Sequence, residues 1–210
     1  MSIRAEQKEK TRRAIMEAAL KQIGQDKAFS NLSLREVARE AGIAPTSFYR
    51  HFQDLDELGL ALVDEAGVSL RQLMRKARKR IAQNGGTAIR TSVETFLEFL
   101  HSNPNLFRLL LREKAGISSE LRQAIQREIE HFVSELTEYL DAQAKMRSQT
   151  LFRHDLVAHA MVTIVFNLGA DALDQSKAQK KLIGEEMIMQ LRMLMMGSEL
   201  MSNKADSDID

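Results

Sequence analysis

Apolar residues recur every three or four positions along most of this 210-residue chain, which is the spacing of one face of an α-helix. The longest unbroken series begins after Asp54. Its members are Leu55, Leu58, Leu62, Ala66, Leu70, Leu73, Ala77 and Ile81. This series predicts one helix over 55–82, about 42 Å long at roughly 1.5 Å per residue.

Capping and breaking residues divide the rest of the pattern into further helices. Ser33 with Glu36, and Asp54 with Glu57, have the spacing of a capping box. Gly24, Gly42 and Gly116 are placed where helices end. The predicted helices are 10–23, 33–41, one from 45, 55–82, 87–101, 105–115, 119–140, 154–173 and 180–200.

Composition supports an all-α fold of about nine helices. The chain has only two prolines and ten glycines, and its 44% hydrophobic and 28% charged residues are ordinary for a soluble globular protein. It contains no cysteine, which excludes disulfides, cysteine nucleophiles and thiolate zinc sites.

We expect a cytoplasmic protein with no membrane partner. The N-terminal residues lack the apolar stretch of a signal peptide. The longest charge-free run at helix length, Leu156 to Ala170, is fifteen residues, shorter than the roughly 18–20 needed to cross a bilayer.

Charge is distributed unevenly along the chain. The net charge is only +1, but residues 1–52 carry ten Lys or Arg against six Asp or Glu. The N-terminal quarter is therefore basic, as a nucleic-acid partner would require.

The segment from Ser33 to Phe52 has the pattern of a helix-turn-helix, with Gly42-Ile43-Ala44 as the turn. Phe48 and Phe52 share one face of the second helix and should pack inward. The opposite face presents donors that can reach base edges or phosphates in a major groove. We call this set the recognition face: Thr46, Ser47, Tyr49, Arg50 and His51. A purely structural turn is the alternative, but it needs neither these donors nor the basic arm before them.

The run LREVAREAGIAPTSFYRHF followed by DELGLALVDE resembles the TetR family of bacterial regulators. The resemblance implies a non-enzymatic repressor with an N-terminal three-helix DNA-binding domain and a C-terminal ligand-binding and dimerisation domain. The expected divisions are 1–53, 54–202 and a disordered acidic tail, 203–210. The DNA-binding residues expected from the resemblance and the basic arm are Lys8, Arg12, Arg35, Pro45, Thr46, Ser47, Tyr49, Arg50 and His51. Many members place a lysine where this chain has Leu55, so one phosphate contact is in question.

Further segments are similar to gamma-proteobacterial members that repress unsaturated fatty acid biosynthesis, among them DELGL, LRQLMRKARKRIA and NPNLFRLLLRE. Residues 143–153 fit poorly. This likeness implies a palindromic double-stranded operator and, as effector, a long-chain acyl thioester of coenzyme A or acyl carrier protein, with no other cofactor and no metal. Control of another regulon, for efflux or lipid catabolism, stays open. Gly59 and Gly67 are candidate bend points through which a ligand could act.

The charge-free part of the helix, from Leu156 to Ala170, is expected to be apolar on every side and therefore covered on every side. An ordinary core helix is one interpretation, and a two-fold four-helix interface in a homodimer, which the resemblance favours, is the other. The expected interface residues are Val157, Met161, Ile164, Leu168, Met187, Leu191 and Leu194.

An apolar pocket with a cationic mouth is the second function expected of the C-terminal domain. Core packing explains its aromatic residues equally well, and a solvated face or DNA contact explains the basic run 71–80. The candidate pocket residues are Phe96, Phe99, Phe107, Leu111, Phe132, Met161, Phe166, Arg75 and Arg108.

The sequence pattern is also compatible with two other classes of protein. Glu98 with His101, and Glu128 with His131, have the spacing used in di-iron bundles, but the apolar stripes turn Glu98 and His131 away from the core. A lipid carrier or enzyme whose N-terminal part contacts another protein is the remaining alternative, and it predicts weak DNA binding that is nearly independent of sequence.

Overall fold

The computed structural model describes residues 3–24, 27–84, 88–147 and 152–207. Within these ranges the regular structure is entirely helical, with nine α-helices and one short 3-10 helix, Phe29–Asn31. The α-helices are α1 Ile3–Gln22, α2 Leu34–Glu40, α3 Pro45–Phe48, α4 Leu55–Asn84, α5 Ala88–Ser102, α6 Pro104–Glu113, α7 Ser119–Met146, α8 His154–Ala172 and α9 Lys177–Ser207. The expected all-α fold of nine helices is confirmed.

Capping residues set the starts of α2 and α4 as the sequence predicts. Ser33 Oγ accepts a hydrogen bond from the Glu36 N–H at 3.2 Å, and Asp54 Oδ1 accepts one from the Glu57 N–H at 2.8 Å. Each bond satisfies an amide that the helix itself leaves without a partner. The long helix predicted over 55–82 is present as α4, with 30 residues.

Two helices are longer than their apolar stripes. The first begins at Ile3 rather than at residue 10, because the polar residues before the stripe are still good helix formers. The last, α9, continues to Ser207 and so includes residues 203–207 of the tail that is predicted to be disordered. The rest of the predicted tail, 208–210, lies outside the described residues.

The chain divides into two compact units. One comprises Met1–Ser69 with Asn103–Gln126, and the other comprises Leu70–Ser102 with Arg127–Asp210. The first unit thus includes α6 and the start of α7 in addition to the helix-turn-helix. The functional division expected at residue 53 stays a prediction, but the packing unit around the helix-turn-helix is larger than that division.

In the first unit, α1 packs against α2 and α6, and α6 also packs against the 3-10 helix. Polar bonds reinforce this contact, since Arg112 Nη1 donates to the Gly24 carbonyl at 2.6 Å and the Ser30 N–H donates to the buried Glu113 carboxylate at 3.3 Å. The core side chains include Ile15, Ala19, Ile23, Phe29, Val37, Phe48, Phe52, Leu58, Leu62, Phe107, Leu109, Leu121 and Ile125.

In the second unit, α8 and α9 pack against each other and α5 packs on both. Among the described helices, α8 alone is long and apolar enough to cross a membrane by length and composition, a test that core helices also pass. One face of α8 is covered within the unit, where Ala158, Met161 and Ala172 are buried.

Gly59 of α4 lies in close contact with neighbouring side chains. A Cβ at this position would lie 2.8 Å from Cδ2 of Leu121 and 2.8 Å from Cε1 of Phe29, both buried in the first unit. The missing side chain therefore allows three elements to approach one another, and α4 passes through the position without a break.

Gly59→Ala is expected to destabilise the protein by about 1 kcal/mol, since overpacking costs about 1–3 kcal/mol and better helix propensity returns about 1 kcal/mol. Urea unfolding followed by circular dichroism measures the change. Gly24→Ala is the matched control, because no atom lies within 4 Å of a Cβ there. Equal stability of the two variants would contradict close packing at Gly59.

Candidate functional site

The turn of the helix-turn-helix depends on Gly42, whose φ of 69° is in the left-handed region. The Gly42 N–H donates to the Arg39 carbonyl at 3.1 Å, and the Ile43 N–H donates to the Ala38 carbonyl at 3.0 Å. This is the Schellman arrangement, which satisfies the last carbonyls of α2. The next three residues then lead the chain into α3 with Pro45 in its first turn.

The helix that begins the recognition face, α3, is short, and we call it the recognition helix. Contacts on its buried side fix its position. After α3, hydrogen bonds donated by the Arg50 and His51 N–H groups continue the helical turn to His51. Phe48 is fully buried, with its ring centroid 5.7 Å from that of Phe52. The guanidinium of Arg12 on α1 lies 4.1 Å from the Phe52 ring centroid, and its Nη1 donates to the His51 carbonyl at 2.8 Å.

The residues expected to meet DNA lie at the surface on the other side. Pro45, Thr46, Tyr49 and Arg50 are exposed, and Ser47 and His51 are half-buried. Arg35 on α2 and Lys8 on α1 are also exposed. Arg12 differs from the rest, because it is half-buried and its Nη1 donates to the His51 carbonyl of the same chain.

Positive charge converges on His51. Burial of the ring is the largest cause that holds the pKa of His51 below its ordinary value, and the charges of Lys8, Arg12 and Arg50 lower it further, whereas Glu9 opposes them. The imidazole is therefore neutral near pH 7, and the local field is positive. A surface of this kind attracts a polyanion.

The second unit contains a cavity of about 440 Å³. Its size and apolar wall are typical of a small-molecule site. The residues on its wall are Leu70, Met74, Arg78, Ala88, Ile89, Ser92, Val93, Phe96, Phe132, Leu136, Tyr139, Leu140, Gln143, Arg147, Met161, Val162, Val165, Phe166, Leu191, Arg192, Met195 and Glu199.

The structure brings together four of the nine predicted pocket residues: Phe96, Phe132, Met161 and Phe166 line the cavity. The other five do not. Phe107, Arg108 and Leu111 lie on α6 in the first unit, where Phe107 is a core residue. Phe99 lies on the flank of α5, beside its buried stripe of Val93, Phe96 and Leu100.

The remaining predicted pocket residue, Arg75, lies on the outer surface of α4. Its Nε donates to Glu135 Oε2 on α7 at 3.1 Å, and Arg71 forms an ion pair with Glu128. The α4 arginine on the cavity wall is Arg78, since Leu70, Met74 and Arg78 follow one another at i, i+4 and i+8 and share one face of α4. The sequence places Arg78 in the basic run 71–80, where nothing in the pattern distinguishes it from its neighbours.

The expected dimer residues are also divided. Val157, Met161, Met187 and Leu191 are largely buried within the single chain, and their place in a dimer interface stays a prediction. Ile164, Leu168 and Leu194 are half-buried. Five of the six large exposed apolar side chains of α9 share another face, and the sixth, Met201, lies to one side of it. We call these five the methionine row: Leu182, Met189, Met193, Met196 and Leu200.

The Glu-x-x-His pairs do not converge. Glu98, His101 and His131 are exposed, while Glu128 is held by Arg71. In the described part of the chain, no three His, Asp or Glu side chains are grouped as metal ligands.

Comparison with known proteins assigns both parts of the chain. Residues 15–62 match the family described as bacterial regulatory proteins, tetR family, and residues 86–197 match the tetracyclin repressor-like C-terminal domain. The two matches together include the helix-turn-helix and most of the cavity wall.

Solved structures share the fold at low sequence identity. A transcriptional regulator from Rhodococcus sp. Rha1 has a TM-score of 0.70 and 16% identity, covering 90% of this chain and 97% of its own. The fatty acid degradation regulator FadR from Bacillus halodurans has a TM-score of 0.65 and 18% identity over 87% of this chain and 96% of its own. FadR from Bacillus subtilis, solved with stearoyl-CoA, has a TM-score of 0.67 and 16% identity, covering 87% of this chain and 96% of its own.

Proposed function

Because the chain belongs to the TetR family of bacterial regulators, whose members bind DNA and are not enzymes, we propose that it represses genes of unsaturated fatty acid biosynthesis under the control of long-chain acyl thioesters. The observation that carries the DNA-binding part is the recognition face. Its donors are presented outward by a turn fixed at Gly42 and a helix anchored by Phe48. Lys8 and Arg50 add the positive charge that a duplex requires.

The proposed repressor is a homodimer that binds a palindromic operator. TetR-family regulators act as dimers, and two recognition helices one turn of DNA apart match a two-fold operator. The methionine row supports this assembly, because exposed apolar side chains along one helix face are unfavourable in water. In a two-fold contact, the methionine row of one copy would pack against the methionine row of the other.

The proposed effector is a long-chain acyl thioester of coenzyme A or acyl carrier protein, with unsaturated chains strengthening repression. The cavity supports this ligand through its volume and its wall of apolar side chains from five helices. The stearoyl-CoA complex of the Bacillus subtilis regulator, which has the same fold, points to the same ligand class. Both proposed partners, DNA and carrier thioesters, support a cytoplasmic location.

Fluorescence anisotropy with a labelled duplex tests the proposal. A promoter of an unsaturated fatty acid biosynthesis gene should bind roughly 10³-fold more tightly than a random duplex. Affinity should fall with salt by about 0.9 log units per log unit of salt for each phosphate contacted. Oleoyl-CoA should tighten operator binding, and palmitoyl-CoA should not.

Arg50→Ala is expected to weaken operator binding by about 10-fold or more, since one good base contact is worth about 1–3 kcal/mol. Lys181→Ala, an exposed cation of α9, is the matched control and should leave affinity unchanged. Weak binding with no preference for the promoter would instead identify the N-terminal part as a module for protein contacts.

A second candidate function is control of lipid catabolism or efflux through a different apolar ligand. The structural likeness to a fatty acid degradation regulator favours catabolism among these. Promoters of degradation and efflux genes, titrated beside the biosynthetic promoter, distinguish the three regulons by which duplex shows the specific affinity.

A further inference from the structure

One end of the cavity is aromatic. The Phe166 ring centroid lies 6.5 Å from that of Phe96 and 6.0 Å from that of Phe132, so α8 joins α5 and α7 there. Leu70 of α4 is also on the wall, and the next residue, Arg71, has its guanidinium carbon 6.0 Å from the Phe132 ring centroid, so this turn of α4 lies beside the cluster. No charged side chain is among these four wall residues, so this end suits a hydrocarbon.

The other end is polar. Going along α4 from Leu70 to Arg78 advances about 12 Å, and going along α7 from Phe132 to Tyr139 advances about 10 Å, at roughly 1.5 Å per residue. Arg78 and Tyr139 are in contact at this second end of the cavity. The guanidinium carbon of Arg78 lies 4.9 Å from the Tyr139 ring centroid. Gln143 and Arg147 continue the same face of α7. The wall thus changes from hydrocarbon-like to cationic over about two helical turns.

Arg78 is held by neutral groups. Its Nη1 donates to the main-chain carbonyl of Glu135 at 3.5 Å, while the Glu135 carboxylate is bound by Arg75 and lies 3.7 Å from Nε of Arg71. Burial is the largest cause that lowers the pKa of Arg78, and nearby Glu135 only partly opposes it. A guanidinium stays charged under these conditions, so an anion placed beside it would relieve the cost of its burial.

The other charges on the wall are less suited to this role. Arg147 and Arg192 are exposed, where water screens an ionic contact. Glu199 of α9 is the one acidic side chain among the wall residues, and it leaves the cavity with a positive balance. Arg78 is therefore the cation best placed to bind an acidic group inside the cavity.

We propose that the cavity binds an amphipathic ligand with its apolar chain against Phe96, Phe132 and Phe166 and its acidic head group hydrogen-bonded to Arg78. This proposal deepens the proposed function and rests on it for the chain class of the ligand. The head group is a carboxylate or phosphate, as in a free fatty acid or an acyl thioester of coenzyme A. Arg78 would bind either with two parallel N–H donors.

Isothermal titration calorimetry of the full chain without DNA tests the proposal, using oleate, oleoyl-CoA and the neutral oleyl alcohol. Either acidic ligand should bind at least about 10-fold more tightly than the alcohol, because a hydrogen bond to a charged group is worth about 1.5–3 kcal/mol. Arg78→Gln should remove this preference, and Arg78→Lys should keep part of it. Arg75→Gln, on the outer face of α4, is the matched control and should bind like the unaltered protein.

Three results would overturn the proposal. The first is equal affinity for oleate, oleoyl-CoA and the alcohol, and the second is binding of none of these three ligands. The third is an equal loss of affinity in Arg78→Gln and Arg75→Gln, which would assign the effect to α4–α7 packing. Tight oleate with weak oleoyl-CoA identifies the free acid as the source of the head group, and the reverse identifies the thioester. Because DNA is absent, Arg78-dependent binding beside a failed promoter titration would reject the regulon and keep the site.

Discussion

Replacing Phe48 with alanine is expected to lower the free energy of unfolding by about 3–5 kcal/mol, the cost of removing a fully buried aromatic side chain. Phe48 has no exposed surface and packs against Phe52 on the buried side of the recognition helix. A loss of this size is a large part of the 5–15 kcal/mol that stabilises a typical domain. Urea unfolding measures it, and specific operator binding should be lost at 37 °C.

Tyr49→Ala is the matched control for Phe48→Ala, since it removes the adjacent aromatic side chain. Tyr49 is 61% exposed, so its loss should change the unfolding free energy by less than about 0.5 kcal/mol while weakening operator binding. The pair separates anchoring from contact with DNA. A stable Phe48→Ala protein with full operator affinity would show that the buried ring does not anchor the recognition helix.

The double substitution Met193→Glu with Met196→Glu is expected to convert a dimer to monomers. Both side chains are 62% exposed in the single chain and belong to the methionine row. In a two-fold contact, four added carboxylates would face one another away from water, and like charges placed so repel strongly. Sedimentation velocity should show the mass halved, and operator affinity should fall by about 100-fold or more because one half-site binds alone.

Lys181→Glu is the control for the charge of that double variant, because it also changes the net charge by two units on α9. It lies one position before the row and is exposed. It should remain dimeric with nearly full operator affinity. If the double variant also remained dimeric, the row would not be the subunit contact.

The helices could be predicted from sequence because each carries a stripe and a cap that act locally. The stripe from Leu55 to Ile81 and the cap at Asp54 were sufficient for α4. The pairing of helices could not be predicted this way. Phe107 and Leu111 looked like pocket residues, but nothing in the local pattern shows that α6 packs with α1 and the 3-10 helix.

The orientation of a helix toward its neighbours also could not be predicted from the sequence. The charge-free run of α8 shows no single apolar stripe, so the sequence pattern does not distinguish the face that is buried within the chain from the face that is exposed. On α4, Arg75 and Arg78 are three residues apart, and only the position of α7 decides which one reaches the cavity. The recognition face was easier, because Phe48 and Phe52 mark its buried side.

The double contact of Arg12, with the His51 carbonyl and the Phe52 ring, has a consequence for the rate of DNA binding. A side chain that becomes fixed only on association costs about 0.5–1.5 kcal/mol of conformational entropy at that moment. Here the ordering takes place during folding, so the recognition helix meets the groove already in its bound shape. Association should then be limited by encounter, fast at low salt and slower as ions screen the basic arm.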